Sequence, residues 1–435
     1  MKSVKKTCAS LLCGTLWHIK DSDFDSPQFE EILRGAIAVG EDGRILAMGK
    51  ASDLKKNFSA KKEYQFDQSV LLPGFVDTHI HFPQMFRVGC YGESLLGWLE
   101  KYIFPEEERM SQGNLAAKYS PLFFRELFKG GTTTSMIVSN SDLKTTHFLF
   151  EAAKATGARA IIGKASMDRM GPKSILRGTA QDQEETYQLI EKWHGEAERL
   201  YYAITPRFSP ACSLKTLKML GQLSQEYPTL RVQTHFAETL EELKLVRESF
   251  PNFKDYLATY EEHGLIHSRT VLAHAIFATS HELKRIKTRG AHISHCPTSN
   301  MFLGSGLYPL EKFSQQKTVT SIGTDVGAGT SFSIWSSLAA AYQVQRLRGG
   351  DITPGQLFHM ATLSGAQALG LEDHIGNFNA GKFADVQVLD WSKSPILRKN
   401  IEHSQNPLER FFATLFQFER GLISDVFIQG KKVTD

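Results

Sequence analysis

His79 and His81 stand one residue apart at the end of the apolar run in "LLPGFVDTHIHFPQ", residues 71–84. In an extended chain, residues i and i+2 point to the same side. Two imidazoles so placed offer two nitrogens to one point. His235 in "LRVQTHFA" and Asp325 in "VTSIGTDV" can complete a set of three nitrogens and one oxygen. Such a set suits a first-row divalent ion, zinc first, with Fe2+ and Mn2+ also compatible, and leaves a position for water. The ion would bring the pKa of that water toward neutrality. Glu238, three residues after His235, is placed to shuttle a proton. His274 in "TVLAHAI" is a further candidate. Singly, each signal is weak. A lone HxH pair or a lone strand-end His is often satisfied by the backbone, and "GTDVG" is a common turn. Joint occurrence at ordered strand ends carries the argument. His267, His281, His292 and His295 serve as the comparison set, and His295 also ends a run.

The elements that would position these groups follow from periodicity. From about residue 72, β-branched runs alternate with amphipathic helical stretches. The runs lie near 71–79, 132–139, 158–166, 201–208, 230–237, 270–276, 290–297 and 319–326. Helical examples are "SPLFFRELFKGG", "SLKTLKMLGQLSQEY" and "SHELKRIKTRG", some ending in Gly. Eight β–α units predict a (β/α)8 TIM barrel of the α/β class. An open doubly wound sheet is the alternative, and no GxGxxG follows the first run. In a barrel, His79-Ile80-His81, Arg207, His235, His274 and Asp325 end strands one, four, five, six and eight, and converge on one mouth. The ends of the chain differ. Residues 35–49 read as a hairpin around Glu41-Asp42-Gly43, and 381–390 and 423–433 as short strands. The expected organisation is residues 1–70 and 373–435 as a small β-sandwich around a barrel over 71–372.

Composition excludes several classes. The chain has 435 residues, 41% hydrophobic and 22% charged, as in soluble globular proteins. A net charge of +3 gives no electrostatic case for nucleic acid or an anionic membrane. No apolar run reaches bilayer-spanning length. "MKSVKKTCASLLCGTLWHIKD" reads as a first strand, not a signal peptide. Cys8, Cys13, Cys90, Cys212 and Cys296 are odd in number and scattered, with no CxxC. That pattern fits a reducing cytoplasm and disfavours both a disulfide framework and zinc–thiolate chemistry.

"PGFVDTHIH", "QTHFAE", "VLAHAI" and "GTDVGAG" together resemble the metal-dependent amidohydrolase superfamily, nearly end to end and in its order. Within it, "VDTHIHFPQ", "WLEKYIFPEEE", "HCPTSNMFLGSG" and "GTDVGAGTSFSIW" are similar to the guanine deaminases. The resemblance implies the barrel with its terminal β-sandwich, a homodimer, and one zinc per subunit on His79, His81, His235 and Asp325. It implies catalytic roles for Glu238, His274 and Asp325. It places His81, Gln84, Arg207, Phe208, His235 and Asp325 at the purine, and the reaction at C2 of guanine. A second kind of guanine deaminase carries a Cys-rich motif, and no PCxxC occurs here. The chemistry agrees: guanine shows acceptors at O6 and N7, which suit the two-donor fork of Arg. The Gln84 amide can both donate and accept. Phe208 would stack on or border the ring, with core packing the plain alternative. Trp98 would belong to a lid or pack under a loop. Rival expectations are a deaminase or chlorohydrolase of another aminated heterocycle, and a non-catalytic scaffold, which would be expected to have lost its ligands.

Overall fold

Strands buried on both faces need apolar or internally bonded residues at every position. The eight runs have that character. In the computed structural model, which describes residues 5–21, 23–92 and 94–434, all eight form strands. The chain opens with β1 (Lys6–Ile19), β2 (Phe29–Val39), β3 (Ile45–Lys50) and β4 (Phe58–Pro73). The barrel follows as β5 (Phe75–His81), β6 (Thr132–Val138), β7 (Arg159–Gly163), β8 (Ala165–Ser166) and β9 (Leu200–Pro206). It continues as β10 (Arg231–Phe236), β11 (Thr270–His274), β12 (His292–His295) and β13 (Thr320–Ile322). These strands pair in parallel in chain order, with the short β8 against β9.

The helices between them begin and end on sequence signals. Asp142, Ser213 and Thr279 cap helices Leu143–Thr156, Leu214–Glu226 and Ser280–Arg289. Gly157 and Gly290 end two of these helices in the left-handed conformation. The last strand returns to the first. Thr78 Oγ1 meets Ser321 Oγ at 2.8 Å and Ile322 O at 2.9 Å. Above them Asp325 N donates to His79 O at 2.9 Å, and His81 N to Val326 O at 3.1 Å. This seam brings the end of the barrel onto the HxH pair.

The termini combine as expected. β14 (Val386–Asp390), β15 (Ile423–Ile428) and β16 (Lys431–Lys432) join β1–β4 in one seven-stranded mixed sheet, ordered β16-β15-β14-β4-β1-β2-β3. Apolar clusters cover it: Leu12, Leu16, Val386 and Phe427 in one, Cys8, Leu11 and Leu54 in another.

Two features differ from expectation. The run over 71–79 is two strands, because Leu71–Pro73 pair with β14 and the barrel strand starts at Phe75. Gly74 makes the junction: a Cβ there would stand 2.0 Å from Thr133 Oγ1. The segment 373–435 is also not all sheet. Helices Pro395–His403 and Pro407–Gln417 send Leu397, Ile401, Phe411 and Leu415 into the main core. There Phe411 lies 5.6 Å from Trp335.

Candidate active site

His79 and His81 leave β5 on one side, as the period-two argument requires, with their Nε2 atoms 3.3 Å apart. Gly323 lets the returning chain come close, since a Cβ there would lie 3.0 Å from His79 O. Asp325 Oδ1 then stands 3.4 Å from His79 Nε2 and 3.3 Å from His81 Nε2. His235, at the end of β10, brings its Nε2 to 3.1 Å from that of His81. Its other nitrogen, Nδ1, lies 2.6 Å from Arg207 O. A carbonyl only accepts, so Nδ1 carries the hydrogen and the Nε2 lone pair faces the cluster.

Four donor atoms so crowded cannot all satisfy one another. A tetrahedral ion with bonds of about 2.0–2.1 Å spaces its donors by roughly 3.3 Å, which is the spacing here. The residues therefore fit a divalent ion. His274 is the competing fourth nitrogen, since it lies with His79, His235 and Asp325 inside 4.8 Å. Its Nδ1, however, accepts from Asn300 Nδ2 at 3.0 Å. The hydrogen of a neutral ring then sits on Nε2, which faces Glu238 Oε2 at 3.5 Å and Asp325 Oδ2 at 3.8 Å. In that tautomer His274 is a donor and not a ligand.

The two carboxyls of the site are driven apart. Burial alone would raise Asp325, but hydrogen bonds from His79 and His81 and the charges of His79 and His274 outweigh it and hold the group well below the usual carboxylate range. Burial raises Glu238 well above that range, reinforced by the charges of Asp325 and Glu242. The one environment favours the ionised form and the other the protonated form, the division of labour that acid–base sites use. Burial keeps His235 neutral, well below its ordinary range, and pushes His274 down to about 3. His274 and Asp325 adopt φ of 74° and 50°. Side chains rarely take that left-handed backbone, and it concentrates at functional sites.

A pocket opens on this cluster, lined among others by His81, Gln84, Trp98, Arg207, Phe208, His235, Glu238 and Asp325. Gln84 Oε1 accepts from Gly327 N at 3.3 Å, which ties it to the loop after β13. Arg207 is 3% exposed, so it is not a surface ion pair. Phe208 lines the pocket and also packs with Phe104, Met167 and Ala211. Trp98 lines the pocket and is buried, with Nε1 donating to Cys90 O at 2.8 Å.

Sequence reasoning missed several supports. Glu242 Oε2 accepts from Glu238 N at 2.7 Å, and Glu242 Oε1 from Tyr256 OH at 2.6 Å. Asp77 accepts from His79 N at 3.2 Å and Thr324 N at 3.1 Å, tying both candidate ligand segments together, and burial pushes its carboxyl up to about 7. Asn300 lies in the short helix Pro297–Phe302 after β12, and Ser305 in the loop beyond it, where Ser305 Oγ donates to Glu238 Oε1 at 2.9 Å. Polar residues five and ten positions beyond a strand leave no periodic trace. His267, His281 and His292 are absent from the cluster. His295 stacks on Tyr308 at 4.2 Å, behind the site.

The amidohydrolase family model matches residues 70–433. The guanine deaminase of Escherichia coli (strain K12) is 38% identical over 364 residues, 84% of this chain and 83% of that one. The solved structure of E. coli guanine deaminase superposes with a TM-score of 0.95 at 34% identity, covering 98% of this chain and 99% of that one. The guanine deaminase of C. acetobutylicum, solved with bound guanine in the active site, gives 0.89 at 27% identity over 98% and 100%. The chain belongs to the amidohydrolase family, and its relatives within that family include the guanine deaminases.

Proposed function

We propose that this chain hydrolyses guanine at C2 to xanthine and ammonia, as a cytoplasmic homodimer serving guanine catabolism. The observation that carries the proposal is one pocket joining the buried carboxyls of Glu238 and Asp325, the histidine cluster and a buried Arg207. A divalent ion, zinc in our reading, held by His79, His81, His235 and Asp325, supplies a water acidic enough to attack near neutral pH.

The side chains do the rest. Arg207 donates to O6 and N7, which turns C2 and its amino group toward the histidine cluster. Gln84 meets the pyrimidine edge, and Phe208 borders the ring. Asp325 takes the proton of the attacking water, while His274 Nε2–H orients the water oxygen. Glu238 gives its proton to N3 as the C2–O bond forms. Glu238 takes up the proton of the new hydroxyl, it or Asp325 passes a proton to the amino nitrogen, the C2–N bond breaks as the C2 carbonyl forms, and ammonia leaves. The test is ammonia and xanthine production from guanine by the metal-replete protein, lost on chelation and restored by Zn2+.

A further inference from the structure

We propose that Glu107 sets the net charge with which this pocket reads a purine, an inference that rests on the guanine assignment above. Glu107 lies on the helix Phe104–Met110, and both it and Arg207 are 3% exposed. Its Oε2 accepts from Arg207 Nη1 at 2.6 Å. The neighbouring Glu106 is engaged by Arg87 and Arg109, which leaves Glu107 as the counter-charge. The clasp is anchored to the barrel, because Asn140 Nδ2, just beyond β6, donates to Glu107 O at 2.8 Å. Phe104 lies 5.2 Å from the guanidinium, and Met167 Sδ lies 3.8 Å from Nη1. Both polar contacts run through Nη1, so the Nε–Nη2 edge remains as a two-donor fork.

A buried guanidinium without a counter-charge favours an anionic ligand. Paired with Glu107, it offers the same two hydrogen bonds with no net charge. The distinction matters for this reaction. Guanine is neutral near pH 7. Xanthine keeps O6 and N7 but loses a proton more readily, and becomes an anion in mildly alkaline solution. The pair therefore grips the substrate by hydrogen bonds and gives the ionised product no Coulombic hold. Glu107 is a positioning residue, acting on the purine through Arg207.

The test measures inhibition of guanine turnover by xanthine below and above its first acid dissociation. It uses wild type, Glu107→Gln, Glu107→Asp, Arg207→Gln and the double Gln variant. Glu107→Gln should tighten inhibition by anionic xanthine about tenfold relative to neutral xanthine, while KM for guanine rises. Glu107→Asp keeps the charge and should keep the wild-type ratio of the two inhibition constants. In the Arg207→Gln background, Glu107→Gln should leave that ratio unchanged. Equal changes for both forms of xanthine, a shifted ratio in Glu107→Asp, or the same shift without Arg207 would overturn the proposal. Absence of guanine turnover in wild type would overturn the guanine assignment first, before any variant is compared, and this inference with it.

Discussion

Replacing Glu238 by Gln removes one transferable proton and little else. The side chain is 3% exposed and accepts from Ser305 Oγ at 2.9 Å through Oε1, a bond the amide oxygen can keep. Volume is conserved, and the buried acid whose ionisation burial opposes is gone. Folding and metal content should therefore match wild type. Turnover should not. General acid–base help is worth about 10²–10⁴-fold, or roughly 3–5 kcal/mol at about 1.4 kcal/mol per decade. Glu238 serves N3 and then the leaving nitrogen, which puts the loss near 10⁴-fold. The pH profile gives a second check. The protonated form is the one that acts, and its pKa is raised, so wild-type kcat/KM should fall as pH rises through that pKa. The residual activity of Glu238→Gln should lack this limb. Steady-state kinetics, elemental analysis and thermal melting are sufficient. A variant within tenfold of wild-type kcat would refute the role, and one that loses its metal would make Glu238 a ligand instead.

His79→Ala and Asp325→Ala should each lose stoichiometric metal and activity together, by elemental analysis and ammonia assay. Full activity in either would remove that residue from the ligand set. Lys164 and Asp182 are fully buried partners. Lys164→Met should cost about 3–5 kcal/mol in urea denaturation by stranding Asp182, and adding Asp182→Leu should recover most of it. His267 is pushed down to about 4 by burial and then by Arg269, while its Nε2 meets Ser224 Oγ at 2.8 Å. The unfolded chain takes up this proton near pH 6.5 and the folded chain only near 4, so stability should fall as pH drops through that window. The contribution is roughly 1–3 kcal/mol, and His267→Asn should flatten the slope.

The barrel and the candidate ligands were legible because each signal is local. An apolar run ending in a polar residue marks both the strand and the group at its mouth, as with His79, His81, His235 and His274, and with Asp325 three residues past β13. The division of 71–79 at Gly74 leaves one trace only: strands buried on both faces show no alternation, so the Pro73-Gly74 dipeptide alone tells one strand from two. The helices at 395–417 were missed for a related reason: their apolar residues face the barrel side of the core, which their place between two sheet strands hides. Glu107 was quoted within a motif but given no role. It meets Arg207 across a hundred residues, and three successive glutamates give no hint which one turns inward. Asn300 and Ser305 belong to the "SNMFLGSG" stretch, a short helix end and the loop after it, where composition does not show the contacts. Side-chain pairs between distant elements carry the second half of the site, and one sequence does not record them.

The central claim is tested most directly by incubating metal-replete protein with guanine, adenine, cytosine and an aminated triazine, and measuring ammonia and the purine product. Guanine should yield xanthine with one equivalent of ammonia. Adenine should react roughly 10⁴-fold more slowly or not at all, because it sets an amino group against the Arg207 donors and has none at C2. Comparable ammonia release from adenine or the triazine, or none from guanine, would contradict the account.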